Sequence, residues 1–188
     1  MNAALELVNS EWWRGRPGGV EDKLDDPAWL GSYVLKTGLG LENLPSPAEL
    51  VELKGLRASL RALVEHAPGA SLASLDAAIA KGAVRRRIVD GAVELEPVRR
   101  DWSWAVSEIA ASFLDLLAHG ESDRIKVCAN DECQWSFYDE SKNRSRRWCG
   151  AATCGTADKV RRFRERQRRA RTEAGAPPMI GFAQQPKH

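Results

Sequence analysis

What the 188-residue chain lacks narrows its class before any motif is read. No apolar run approaches the ~20 residues that span a bilayer, so no membrane segment is expected. The opening M-N-A-A-L-E-L-V-N-S has no basic segment, no long apolar segment and no cleavage site. That predicts no export signal and a cytoplasmic location. Histidine is scarce, and His66, His119 and His188 stand far apart. There is no glycine-rich phosphate loop and no nucleophile with a recognisable base, which argues against an enzyme. No heptad seam is visible, so the oligomeric state stays open. Cysteine is missing from the first 127 positions, and all four cysteines fall between Cys128 and Cys154. In a reducing compartment, paired cysteines are more often metal ligands than disulfides.

Charge is unevenly spread. Residues 1–123 carry 19 acidic and 13 basic side chains, a net of −6, whereas residues 124–171 carry 14 basic and 6 acidic, a net of +8. An acidic body joined to a basic end fits a sensing part attached to a part that meets a polyanion. A merely solvated charged helix is the plainer account of the same run.

The cysteines form two pairs, Cys128/Cys133 and Cys149/Cys154, each with four residues between, and fifteen residues separate the pairs. Two close pairs let two tight turns wrap opposite sides of one tetrahedral zinc ion. With all four positions taken by thiolates, such a site is closed and structural. An iron–sulfur cluster or two disulfides are the competing readings. Between the pairs, Trp135, Phe137 and Tyr138 fit one hairpin arm, Ser141 to Arg144 the turn, and Arg146 to Trp148 the other arm. After Cys154, Thr156 is expected to cap a basic helix from Ala157, with Val160 and Phe163 docking it onto the finger's aromatics. Arg144, Arg146, Arg147, Lys159, Arg161, Arg162, Arg164 and Arg166 are the candidate phosphate contacts. The Gly/Pro-containing tail beyond, residues 173–188, is expected to be flexible.

The body reads as helical with one hairpin. Ala3 to Val8 is a short apolar helix or strand. Asp26-Pro27 starts a helix that Gly38 ends. Ser46 and Glu49 form a capping box for an amphipathic helix that Pro68-Gly69 closes. On it, Arg57 and Arg61 share a side that faces either solvent, the expected outcome, or a pocket. A further helix spans Ser71 to Lys81 with Leu72, Leu75 and Ile79 inward. Asp90-Gly91 marks a two-residue turn between strands, with Arg85 to Arg87 opposite Glu94 and Glu96. A last helix runs from Asp101 to His119. The loop holding Trp12, Trp13, Arg14 and Arg16 offers aromatic faces beside guanidinium groups, a candidate small-molecule site. The plainer account has the tryptophans plugging the core edge.

The run Cys128-Ala129-Asn130, Cys133-Gln134-Trp135-Ser136-Phe137, Asn143-Arg144-Ser145-Arg146-Arg147-Trp148-Cys149 and Cys154-Gly155 resembles the CGNR zinc finger. The body, with L-E-L-V-N-S, the Trp-Arg-Gly segment and the hairpin, is similar to the ABATE-type domain that precedes that finger in bacterial proteins. The resemblance implies residues 1–123 as a ligand-binding domain and residues 124–172 as the finger. It also implies a stress-related transcription regulator with one zinc ion, a DNA partner and an unidentified small-molecule effector. An RNA-binding module or a protein-interaction adaptor is the alternative. One departure stands out: Thr156-Ala157 follows Cys154-Gly155 where the family's name motif has Asn-Arg.

Overall fold

The computed structural model describes residues 2–12, 21–119, 122–130 and 132–173. Six α-helices and three two-stranded antiparallel sheets lie among them, so the protein is mainly α. No described helix is long and apolar enough to cross a membrane. The chain divides after Cys149 into two compact units, residues 1–149 and 150–188.

In the first unit, local chemistry fixes most helix ends. Asn2 accepts from the Leu5 amide and caps α1 (Ala3–Val8), whose Ala4, Leu7 and Val8 are fully buried. Asp26 caps α2 (Pro27–Thr37), and Gly38 ends it in the left-handed conformation at φ +72°. Ser46 and Glu49 make a reciprocal capping box on α3 (Pro47–Val64). Its Leu53, Leu56, Leu60 and Val64 form one buried stripe. With α4 (Ala73–Ile79) and α5 (Trp102–His119), α1 and α3 enclose a core centred on Leu7, Leu53, Leu60, Leu75, Ile109 and Phe113. A Cβ at Gly82 would stand 2.3 Å from Ser107 Oγ. Only glycine lets the chain pass there, and the Ser107 hydroxyl donates to the Ile79 carbonyl at 2.8 Å, tying α4 to α5.

Between α4 and α5 stands the expected hairpin. Strands β3 (Val84–Val89) and β4 (Ala92–Pro97) turn on Asp90 and Gly91, both at positive φ, as a type I′ turn requires.

Three expectations need correction. Helix α3 stops at Val64, short of Pro68, because the Ala67 amide bonds back to the Ala62 carbonyl and His66 takes positive φ. Leu72 is exposed, since it sits at the cap of α4 before the inward face begins. Arg57 and Arg61 do not face solvent. Arg57 is buried; its two terminal nitrogens donate to both carboxylate oxygens of Asp22 at 2.6 and 2.8 Å, and one also reaches Ser10 Oγ at 2.9 Å. Arg61 donates to the Val8 carbonyl at 2.7 Å. Strand β1 (Glu11–Trp12) pairs with β2 (Glu21–Asp22), so the Arg57 fork holds both ends of the segment between them. A buried guanidinium is tolerable when its donors are matched in this way.

Burial pushes the Asp22 carboxyl up, but hydrogen bonds from Arg57 and Lys54 outweigh it and hold the group at about 2. The folded value lies below the ordinary 3.8, so the pair stabilises fully above that pH and fades as pH falls toward about 2. In equilibrium unfolding across this window, Asp22→Asn is expected to flatten the acid limb of stability. Arg57→Ala is expected to cost about 2 kcal/mol at neutral pH by removing the fork from the partly buried Asp22, to which Lys54 stays paired.

Candidate metal centre

The finger begins on a short sheet. Strand β5 (Ile125–Val127) pairs antiparallel with β6 (Ser136–Tyr138), and the Cys128 amide extends the ladder to the Trp135 carbonyl at 2.9 Å. This corrects the expected hairpin: the arm facing Phe137 lies before the first cysteine, not at Arg146 to Trp148. Those later residues contribute backbone instead, and the Arg147 carbonyl accepts from Ala129 N–H at 2.8 Å. The first cysteine pair brackets a tight turn. There the Asn130 carbonyl accepts from Cys133 N–H at 2.8 Å and Gln134 N–H at 3.2 Å, and Gln134 takes positive φ.

The four cysteine sulfurs all lie within 4.8 Å of one another, and none is in a disulfide. Thiolates about 2.3 Å from a tetrahedral zinc stand roughly 3.8 Å apart. The Cys133 and Cys149 sulfurs are 3.6 Å apart, and the Cys149 amide lies 3.4 Å from Cys128 Sγ, the kind of donor that steadies a thiolate. The donor set and its spacing fit one zinc ion, and the two-disulfide reading falls away.

A polar hub beneath the sheet holds the segment leading to Cys149. Asp139 is fully buried. Its carboxylate accepts from Lys126 Nζ at 2.6 Å, from Ser141 N–H at 2.9 Å and from Arg146 N–H at 3.0 Å. Burial pushes its pKa up, but the Lys126 and Ser141 hydrogen bonds prevail, and the carboxyl stays well below the usual carboxylate range. Lys126 also donates to the Arg144 carbonyl, and Arg124 donates to the carbonyls of Asp139 and Ser141 at 2.9 and 2.8 Å. The lysine and arginine side chains of this hub were not legible in the sequence, because they lie 13 to 18 residues from the groups they hold and no spacing rule joins them.

The candidate phosphate contacts divide. Arg144 pairs with Asp123 at 2.9 Å. Arg146 stacks over Phe137 at 4.8 Å and donates to the carbonyls of Trp148 and Cys149, so it braces the metal site. Arg147 lies over the Trp148 ring at 5.3 Å. In the second unit, a π-type turn at Ala151–Gly155 carries Cys154 and leads into α6 (Thr156–Glu173). Thr156 is not a cap but a helical residue, at φ −69° and ψ −44°, whose hydroxyl reaches the Ala151 carbonyl at 3.4 Å. Val160 and Phe163, expected to dock, are exposed. Asp158 is buried and takes Arg161 at 2.6 Å and Arg162 at 2.8 Å. Lys159, Arg164 and Arg166 are exposed on α6.

Of the proposed ligand loop, Trp13, Arg14 and Arg16 lie outside the described residues, as do residues 174–188 of the expected tail. The backbone of Trp12 pairs with Glu21. The structure brings forward another feature, a groove of about 650 Å³ in the first unit, bounded by α1, α5 and β6. Glu6, Asp115 and Glu140 line it beside Trp135, Phe137 and Tyr138. At its floor, Asn9 donates to the Ser136 carbonyl and accepts from the Ser136 amide, both at 2.8 Å. This buried side chain acts as a one-residue strand partner and fastens the helical body to β6. L-E-L-V-N-S was noticed as a pattern, but the 127-residue separation of Asn9 from its partner hid its role.

Two family models match. The first, ABATE, carries the description "Putative stress-induced transcription regulator" and covers residues 1–120. The chain belongs to the ABATE family. The second match, the CGNR zinc finger, covers residues 124–167 and includes all four cysteines. No curated protein matches the chain. The ABATE match therefore contains Asn9 and the Arg57 fork, and the finger match contains Ser136, Asp139 and the first turns of α6.

Asp139→Asn is expected to leave the helical body folded but to speed zinc transfer to a chromogenic chelator by about ten-fold, the scale at which outer supports act on metal sites. Release at the wild-type rate would show that the hub does not hold the metal segment.

Proposed function

We propose that this ABATE protein is a transcription regulator. Its finger and basic helix bind duplex DNA, and its body binds a small molecule that biases that binding. The observation that carries the reading is the far half of α6. Arg164, Arg166, Arg168, Arg169 and Arg171 are all exposed and form no ion pair among the described residues. Arg161 and Arg162 share Asp158, and Arg146 is engaged by the fold, so the phosphate-contacting set moves toward the helix end. Ala157 offers no guanidinium where the family's motif has one, and these later arginines supply the charge instead. The groove between α1, α5 and β6 supports the sensing half, because a molecule seated there would touch both the body and the strand that enters the metal site. On this reading the chain is a binding protein and not an enzyme.

Each phosphate neutralised releases condensed counterions, so log affinity should fall with log salt at a slope of about −0.9 per contact. The combined Arg164→Gln, Arg166→Gln, Arg168→Gln variant is expected to weaken duplex binding and reduce that slope by about three units. Duplex affinity that hardly responds to salt would overturn the reading. Structured RNA that outcompetes duplex DNA would redirect it to an RNA partner.

A further inference from the structure

We propose that the groove bounded by α1, α5 and β6 takes an organic cation, an amine or amidine carried on an apolar body. The inference rests on the reading of this groove as the sensing site and names the chemistry of what it senses. Its volume of about 650 Å³ is that of a small-molecule site. Three elements each bring it one carboxylate: Glu6 from α1, Asp115 from α5 and Glu140 from just beyond β6. None of the three has an ion pair among the described residues. Acids elsewhere on the first unit do: Asp22 pairs with Arg57, Glu52 with Lys81, Glu96 with Arg85 and Asp123 with Arg144.

Arg146 and His119 are the basic side chains on the groove. Three carboxylates outnumber them whether or not the histidine is charged, so the groove is net negative. The Arg146 head is also committed, because it donates to the carbonyls of Trp148 and Cys149. Such a field repels anions and draws in cations.

The aromatic side of the groove selects an organic cation over a bare metal ion. Trp135, Phe137 and Tyr138 line it. The Phe137 ring already carries one planar cation, the Arg146 guanidinium, 4.8 Å from its centroid. A metal ion instead needs several oxygens converging on one point. Among the described residues, the four cysteines are the one group of three or more possible ligands that converges in that way. Glu6, Asp115 and Glu140 therefore stand apart around the groove. Separated carboxylates beside rings suit a larger head whose charge is spread over several atoms. The neutral polar group at the floor, the Asn9 amide, is spent on Ser136, so recognition falls to the carboxylates and the rings.

The test uses the zinc-loaded full chain and three probes of one shape: benzamidine, benzamide and benzoate, which are cationic, neutral and anionic at neutral pH. Binding is read by ligand-observed NMR in the absence of DNA. Benzamidine is expected to bind about ten-fold more tightly than either of the others. Glu6→Gln, Asp115→Asn and Glu140→Gln combined are expected to weaken it by about ten-fold and to leave far-ultraviolet circular dichroism and zinc content unchanged. The single variants are each expected to weaken it by a smaller factor. Benzamide or benzoate binding as tightly as benzamidine would overturn the inference. So would no benzamidine binding at millimolar concentration, or equal binding by the wild type and the combined variant. Duplex affinity is then measured with and without saturating benzamidine. Carboxylate-dependent binding that leaves duplex affinity unchanged would support the cation site and count against the sensing reading alone.

Discussion

Four thiolates within 4.8 Å of one another repel, and only a cation makes that cluster stable while all four are ionised. The rest of the finger depends on this constraint. Its apolar content is small: Ile125, Cys128 and Phe137 are its buried hydrophobic side chains among the described residues. So little burial cannot offset the ordering of some thirty residues, and zinc binding must supply the difference. The protein's own contribution is to arrange the donors. The ladder of β5 and β6 sets the first pair, and the Asp139 hub with the Arg146 brace sets the approach to Cys149.

The helical body needs no such help. Its core is continuous across α1, α3, α4 and α5, and its one buried cation among the described residues, Arg57, is matched by Asp22 and Ser10. What joins body to finger is apolar as well as polar: Ile125 of β5 belongs to the body's buried core, and Val127 and Tyr138 pack against it. Asn9 satisfies both backbone groups of Ser136 and has no freedom to do so in another register. On the proposed reading, a molecule in the adjoining groove acts on a pair of hydrogen bonds that can hold or loosen β6. A coupling of 1–3 kcal/mol, the usual range for linked sites, is within their reach.

Features governed by short-range chemistry were legible in the sequence. Asp26-Pro27, the Ser46–Glu49 box, Gly38 and Asp90-Gly91 each encode an end or a turn within four residues, and each appears where expected. The metal ligands were legible because four cysteines in one stretch leave little choice of partners. What failed was every inference that needed to know what lies across the fold. Arg57 looked solvent-facing because Asp22 is 35 residues away. The strand facing Phe137 was sought after it in sequence, whereas it lies before the first cysteine. Thr156 looked like a cap because it directly follows Cys154-Gly155, whereas a π-type turn over Ala151–Gly155 already leads into the helix. Sequence also gave every arginine of the basic run equal standing, and only the positions of Asp158, Asp123 and the Cys149 carbonyl separate the engaged ones from the exposed ones.

The central claim is that zinc organises the finger while the body stands alone. Amide hydrogen exchange before and after chelation tests it most directly. Removing the metal is expected to strip protection from residues 128–155 and to leave α1, α3 and α5 protected at their zinc-loaded rates. Protection that persists through the cysteine turns without metal would contradict the account, and so would its loss from α3 and α5 along with the finger.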